Sequence, residues 1–106
     1  MLEIIILAAT KEAALNWWKE DLLRFSKYGK PQAKRPQLEI ITPTCRISYR
    51  SGRQHNEGLR ADLVFGAGED ERKVFMCKSE YTKEDCTMEN IRKIIIEGFK
   101  KEGEKC

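Results

Sequence analysis

Four consecutive aliphatic residues, Ile4-Ile5-Ile6-Leu7, set the strongest constraint on this chain, because they sit in an almost unbroken apolar run from Leu2 to Ala9. Side chains alternate across a β-strand, so these four cannot all face one helix layer. A strand of this kind is covered on both faces, as parallel strands of layered α/β proteins are. The run is far shorter than the roughly 20 apolar residues that cross a bilayer. It carries Glu3 and has no basic leader, so a first strand is expected here and not a signal segment. No membrane partner, a cytoplasmic location and reduced thiols are the matching expectations.

Thr10 offers an N-cap hydroxyl and Glu12 a negative charge in the first turn of a helix. Ala14, Trp18, Leu22 and Phe25 then recur at spacings of four and three, with Leu15 widening the stripe. Tyr28-Gly29 ends the helix and Lys30-Pro31 prevents its continuation. Trp17 and Trp18 point about 100° apart on a helix, so Trp18 is core and Trp17 flanks the stripe. Stacking of Trp17 on a nucleic-acid base is the sharper reading, and a structural role is the simpler one.

Residues 29–36 hold two prolines and read as a stiff basic loop. Leu38, Ile40 and Thr42 alternate with Glu39 and Ile41. After a Pro43-Thr44 turn, Cys45, Ile47 and Tyr49 alternate with Arg46, Ser48 and Arg50. That period of two predicts a hairpin or a bent pair of strands. Ser51 to Gly58 has no apolar residue and two glycines, so it reads as an exposed loop. Leu63-Val64-Phe65, closed by Gly66, reads as a short strand buried on both faces, and Lys73 to Cys77 as another strand. Thr82-Lys-Glu-Asp85 and Thr87-Met-Glu-Asn90 are successive capping patterns. Met88, Ile91, Ile95 and Phe99, with Ile94 beside them, give a second amphipathic helix whose charged end from Lys100 is expected to fray.

The resulting order, β-α-β-β-β-β-α, predicts a single small α/β domain over residues 1–106, with two main helices on a Rossmann-like sheet. If the first strands are parallel, a right-handed crossover joins them. Two helices cover one face of such a sheet well. The second face of the first strand, or an unpaired edge, then calls for a partner, and a homodimer is expected unless the 51–58 loop and the acidic turn after Gly66 fold over that face.

Charge is segregated along the chain. Residues 24–60 carry nine basic residues against Glu39 and Glu57, while the remainder carries eleven basic and fifteen acidic residues. A positive face beside an acidic one follows from this split. Lys30, Lys34, Arg35, Arg46, Arg50, Arg53 and Arg60 are therefore the candidate nucleic-acid contacts. The four cysteines, at 45, 77, 86 and 106, contain no Cys-x-x-Cys pair. Cys45 and Cys77 read as packed and Cys106 as exposed. With His55 they match no standard zinc spacing, so neither metal nor cofactor is expected.

Ile4-Ile-Ile-Leu-Ala-Ala-Thr-Lys-Glu-Ala-Ala14 resembles the strand and helix start that follow the nucleotide-binding helix in helicase and phage terminase large-subunit motors. Pro43-Thr-Cys-Arg-Ile-Ser-Tyr-Arg50 and Gly58-Leu-Arg-Ala-Asp-Leu-Val-Phe65 resemble the edge hairpin and acidic-motif strand of that fold. The likeness spans residues 4 to 66 and implies a helicase- or terminase-like sheet. The departures bear on activity. The chain has no glycine-rich turn ending in Gly-Lys-Ser or Gly-Lys-Thr to hold phosphates and magnesium, and Gly66-Ala67 stands where the family's Asp-Glu pair belongs. ATP hydrolysis is not expected. A second enzyme reading takes Asp62, Glu71 and Lys73 as a metal-dependent nuclease, two carboxylates holding magnesium while lysine assists the attacking water.

The leading expectation is a non-catalytic, phage- or prophage-like accessory protein that binds DNA, RNA or a nucleic-acid-processing protein. The alternative is a protein–protein interaction module or an inhibitor of a host protein.

Overall fold

The computed structural model describes residues 1–51, 59–66, 75–76 and 81–104. Strand β1 (Leu2–Ala8) is followed by helix α1 (Lys11–Phe25), then by β2 (Gln32–Lys34), β3 (Glu39–Ile41) and β4 (Cys45–Ser51). Beyond them come β5 (Arg60–Ala61), β6 (Leu63–Gly66), β7 (Phe75–Met76), a 3-10 turn at Lys83–Asp85 and helix α2 (Met88–Glu104). Five strands form one mixed sheet in the order β2-β3-β4-β1-β6, and β5 pairs with β7 in a separate two-stranded ribbon. Strand β1 runs parallel to β4 on one side and to β6 on the other. Strands β2, β3 and β4 are antiparallel neighbours. The domain is thus a small α/β unit with a mixed five-stranded sheet and two helices. No helix among the described residues is long and apolar enough to cross a membrane.

Helix α1 starts where the sequence places it. Thr10 Oγ1 accepts from the Ala13 N–H at 3.1 Å, and the Thr10 carbonyl takes the Ala14 N–H. The capping box at Thr82 closes only the 3-10 turn, where the Asp85 carboxylate accepts from the Thr82 N–H at 2.8 Å. Thr87 caps α2 instead, its hydroxyl accepting from the Asn90 N–H. The helix runs on to Glu104.

Both helices pack on the same face of the sheet. Ile4, Ile6 and Ala8 from β1, and Cys45, Ile47 and Tyr49 from β4, meet Ala14, Trp18 and Phe25 of α1 and Ile91, Ile95 and Phe99 of α2. Full burial of a side chain of this size contributes about 1.5–3 kcal/mol before entropy is counted. Close approach of α2 depends on two glycines. A Cβ at Gly98 would run into the Thr44 side chain, and one at Gly29 would lie 2.5 Å from the Phe99 ring.

The reverse face of β1 is not left open. Ile5, Leu7 and Val64 are buried there with Ala61, and Leu59 packs against them. Because the chain covers this face itself, the face gives no ground for a dimer. Among the described residues, the sheet ends at β2 on one side and β6 on the other.

Strand β6 is buried on both faces as its sequence reads, with Leu63 0% and Val64 5% exposed, and it lies at the end of the described sheet, while β1 is flanked on both sides. Residues 29–36 are more than a loop: Gln32–Lys34 pair with Ile41, Ile40 and Glu39 as edge strand β2. All three are solvent-exposed, so no apolar periodicity marked them.

Candidate nucleic-acid interface

The basic segment does not stay together in space. Lys30, Lys34 and Arg35 are exposed on the turn after α1 and on edge strand β2, along with Lys27. Arg60 is also exposed, but it lies on β5, which leads into β6 at the opposite end of the sheet. Arg53 falls outside the described residues, as do Glu71, Lys73, His55, Cys77 and Cys106.

Arg46 is committed elsewhere. Its guanidinium donates to both Glu39 oxygens, at 3.0 and 3.2 Å, and Ser48 Oγ donates to the same carboxylate at 3.2 Å. This explains how Glu39, only 8% exposed, sits on the sheet surface as a carboxylate. Arg50 lines a cleft of about 290 Å³ at the carboxyl end of β4, shared with Lys11, Ser48 and the Pro36–Glu39 segment. Arg35 lies over the Trp18 ring at 5.6 Å, a cation–π contact that holds it against the core while it stays exposed. Lys27, Lys30 and Lys34 form no ion pair with a described residue.

Asp21 is the polar group that sequence reasoning missed. It is 1% exposed and occupies the α1 stripe one position before the half-buried Leu22. Tyr49 Oη donates to Asp21 Oδ2 at 2.6 Å, Arg24 pairs with Oδ1, and Arg92 Nε lies 3.5 Å from Oδ1. Burial, followed by the Asp21 charge, pushes the Tyr49 hydroxyl well above its ordinary ionisation range. The available signal was the 14-18-21-25 spacing with Arg24 three residues on, but Leu22 offered a more apolar stripe.

The cluster opens onto a groove between the helices. Arg24 is joined there by Arg92, Lys93 and Lys100 of α2, with Glu89 and Glu97 as the acidic members, and the groove has a volume of about 600 Å³. The tyrosine after α1, Tyr28, is 44% exposed and lines the same groove. Helix α2 lies outside residues 24–60, in the part of the chain where acidic residues outnumber basic ones, so the linear charge split hides its cations.

Trp17 takes the structural role: it is half-buried and its ring packs on Phe65 at a centroid distance of 5.9 Å. Asp62 also serves the fold. The Glu3 N–H donates to its Oδ2 at 2.9 Å and the Asp62 N–H donates to the Glu3 carbonyl at 2.8 Å. The pair ties the start of β6 to the start of β1, at the amino ends of the parallel strands. Among the described residues no group of three or more His, Cys, Asp or Glu is placed to hold a metal ion. Cys45 is fully buried, and burial pushes its thiol upward. No family model, curated protein or solved structure matches this chain.

Proposed function

We propose that this protein is a non-catalytic accessory factor, phage- or prophage-like, that binds nucleic acid through the cations following α1. One observation carries the reading: Lys27, Lys30 and Lys34 are exposed and free of ion pairs with described residues, whereas Arg46 is neutralised by Glu39. Free surface ammonium groups release counterions when they meet phosphates, so binding should weaken steeply with salt. Descent from the helicase and terminase motor fold belongs to the same proposal. Its support is the parallel β4-β1-β6 trio with α1 between β1 and β4, and the antiparallel strands beside β4.

Titration of labelled DNA and RNA at low and moderate salt tests the reading. Binding that falls with salt, and that Lys27→Ala/Lys30→Ala/Lys34→Ala reduces on every sequence alike, supports it. No binding even at low salt discards it. The interaction-module alternative has its own observation in Leu23, 74% exposed on α1. A protein retained from a bacterial lysate by the parent and lost with Leu23→Ser would favour that alternative.

A further inference from the structure

We propose that the groove between α1 and α2 is the path of a single nucleic-acid strand, with Tyr28 as the platform on which one base stacks. The inference rests on the nucleic-acid reading above and names the form of nucleic acid. Positions 89, 92, 93, 96, 97 and 100 of α2 recur at helical spacing and line the groove as one stripe. At 1.5 Å per residue the stripe runs about 16 Å. That equals the rise of about five nucleotides of a fully stacked strand, and fewer of an unstacked one.

Four cations line the groove against Glu89 and Glu97, and with Asp21 beneath them four positive charges meet three negative ones, a balance of +1 and the sign that suits a phosphate backbone. Arg24 and Arg92 share the single buried carboxylate of Asp21, so their cluster keeps one positive charge uncompensated. Arg92 Nε is buried and has no hydrogen-bond partner among the described residues, while the side chain as a whole is 31% exposed in the groove. Asp21 thereby holds two guanidiniums at the floor of the groove ahead of any ligand, which lowers the ordering cost of binding. Lys93 and Lys100 add two ammonium groups that make no ion pair with a described residue.

Tyr28 supplies what a charged groove alone lacks. Gly29 lies against the Phe99 ring, which puts Tyr28 at the Lys100 end of the stripe, away from Glu89. Aromatic platforms beside a basic track are how proteins hold unpaired bases, because every base has a π face. In a duplex the bases are stacked inside the helix and cannot reach such a ring. The groove is therefore selective for single strands, while the lysines before β2 contact phosphates of either form.

The test compares a fluorescein-labelled oligothymidylate and oligouridylate with a duplex of the same length, at low salt, using the full chain. The single strands should bind more tightly than the duplex. Tyr28→Ala should weaken them about tenfold and Tyr28→Phe should restore binding, consistent with the loss of one stacked base. Lys93→Glu/Lys100→Glu should lower the salt slope by about 2. Unchanged circular dichroism and thermal midpoint establish that these exposed substitutions leave the fold intact. Equal affinity for duplex and single strands, or no effect of Tyr28→Ala, overturns the groove assignment while nucleic-acid binding stands. Absence of binding to all three probes overturns both.

Discussion

The two faces of the sheet are built by different means. Towards the helices, Ile4, Ile6, Ile40, Ile47 and Tyr49 are all at most 3% exposed, and burial there is apolar area against apolar area. The reverse face changes across its width. Under β1 and β6 it is apolar, with Ile5, Leu7 and Val64 covered by Leu59 and Ala61. Across β4 and β3 it is polar, held by the Glu39–Arg46–Ser48 network. Each face also buries one carboxylate, Asp21 on the helix side and Glu39 on the other. The Asp21 carboxylate meets partners from three elements, α1, β4 and α2, whereas the neighbouring strand β4 alone supplies both partners of Glu39.

The largest expected effect separates the faces directly. Ile47→Ala, at a fully buried position, should cost about 2–5 kcal/mol in urea unfolding, and Ser48→Ala one residue along should cost less than about 1 kcal/mol. Equal losses would show that the faces do not differ in the way described.

The two carboxylates should differ next. Asp21→Ala leaves the buried Tyr49 hydroxyl and the Arg24 guanidinium without their acceptor, and Arg92 without its counter-charge, and should cost about 2–3 kcal/mol. Glu39→Ala frees an Arg46 side chain that is already 46% exposed, and should cost about 1 kcal/mol. Thermal midpoints in the reverse order would place the more demanding ion cluster on the open face.

Gly98→Ala is a smaller and more pointed test of the helix side. Helix propensity alone favours alanine by about 1 kcal/mol. The clash with Thr44 opposes this, and the net loss should be about 1 kcal/mol. A stabilised variant would mean that α2 packs less tightly on the Thr44 turn than described. Thr44→Ala should relieve the loss if the clash is its cause.

The smallest effect at neutral pH grows on the alkaline side. Burial and the neighbouring Asp21 raise the Tyr49 ionisation above that of an unfolded tyrosine, near 10. A folded-state value above the unfolded one gives stability that is fully present below about 10 and is lost as pH rises towards the folded value. Urea midpoints of the parent should therefore fall more steeply above about 10 than those of Tyr49→Phe. Parallel slopes would show that Tyr49 ionises as freely in the fold as in the unfolded chain.

The elements themselves were readable because their signals are local. The strand read from Leu2 to Ala9, the Thr10 cap, the alternation from Cys45 to Arg50 and the Ile91, Ile95, Phe99 stripe each lie within a few residues of chain, and the structure places all of them to within a residue. Edge strand β2 was not readable, since its exposed Gln32, Ala33 and Lys34 leave no apolar pattern and its backbone is paired only because β3 is there.

Of the candidate nucleic-acid contacts, sequence located the basic segment but could not say which cations are free. Arg46 and Lys34 look alike in the chain, and one is neutralised by a glutamate seven residues away while the other has no ion pair with a described residue. What the sequence determined by itself was the alternation of apolar residues, and with it the α/β class. Tertiary structure alone decided that Asp21 is buried, that Arg92 of α2 stands beside Arg24 of α1, and that Tyr28 borders the groove between them. The reason is that hydrophobic periodicity is a property of neighbouring residues. The contacts that bring Tyr49 and Arg92 onto Asp21 span 28 and 71 positions, for which the linear pattern holds no record.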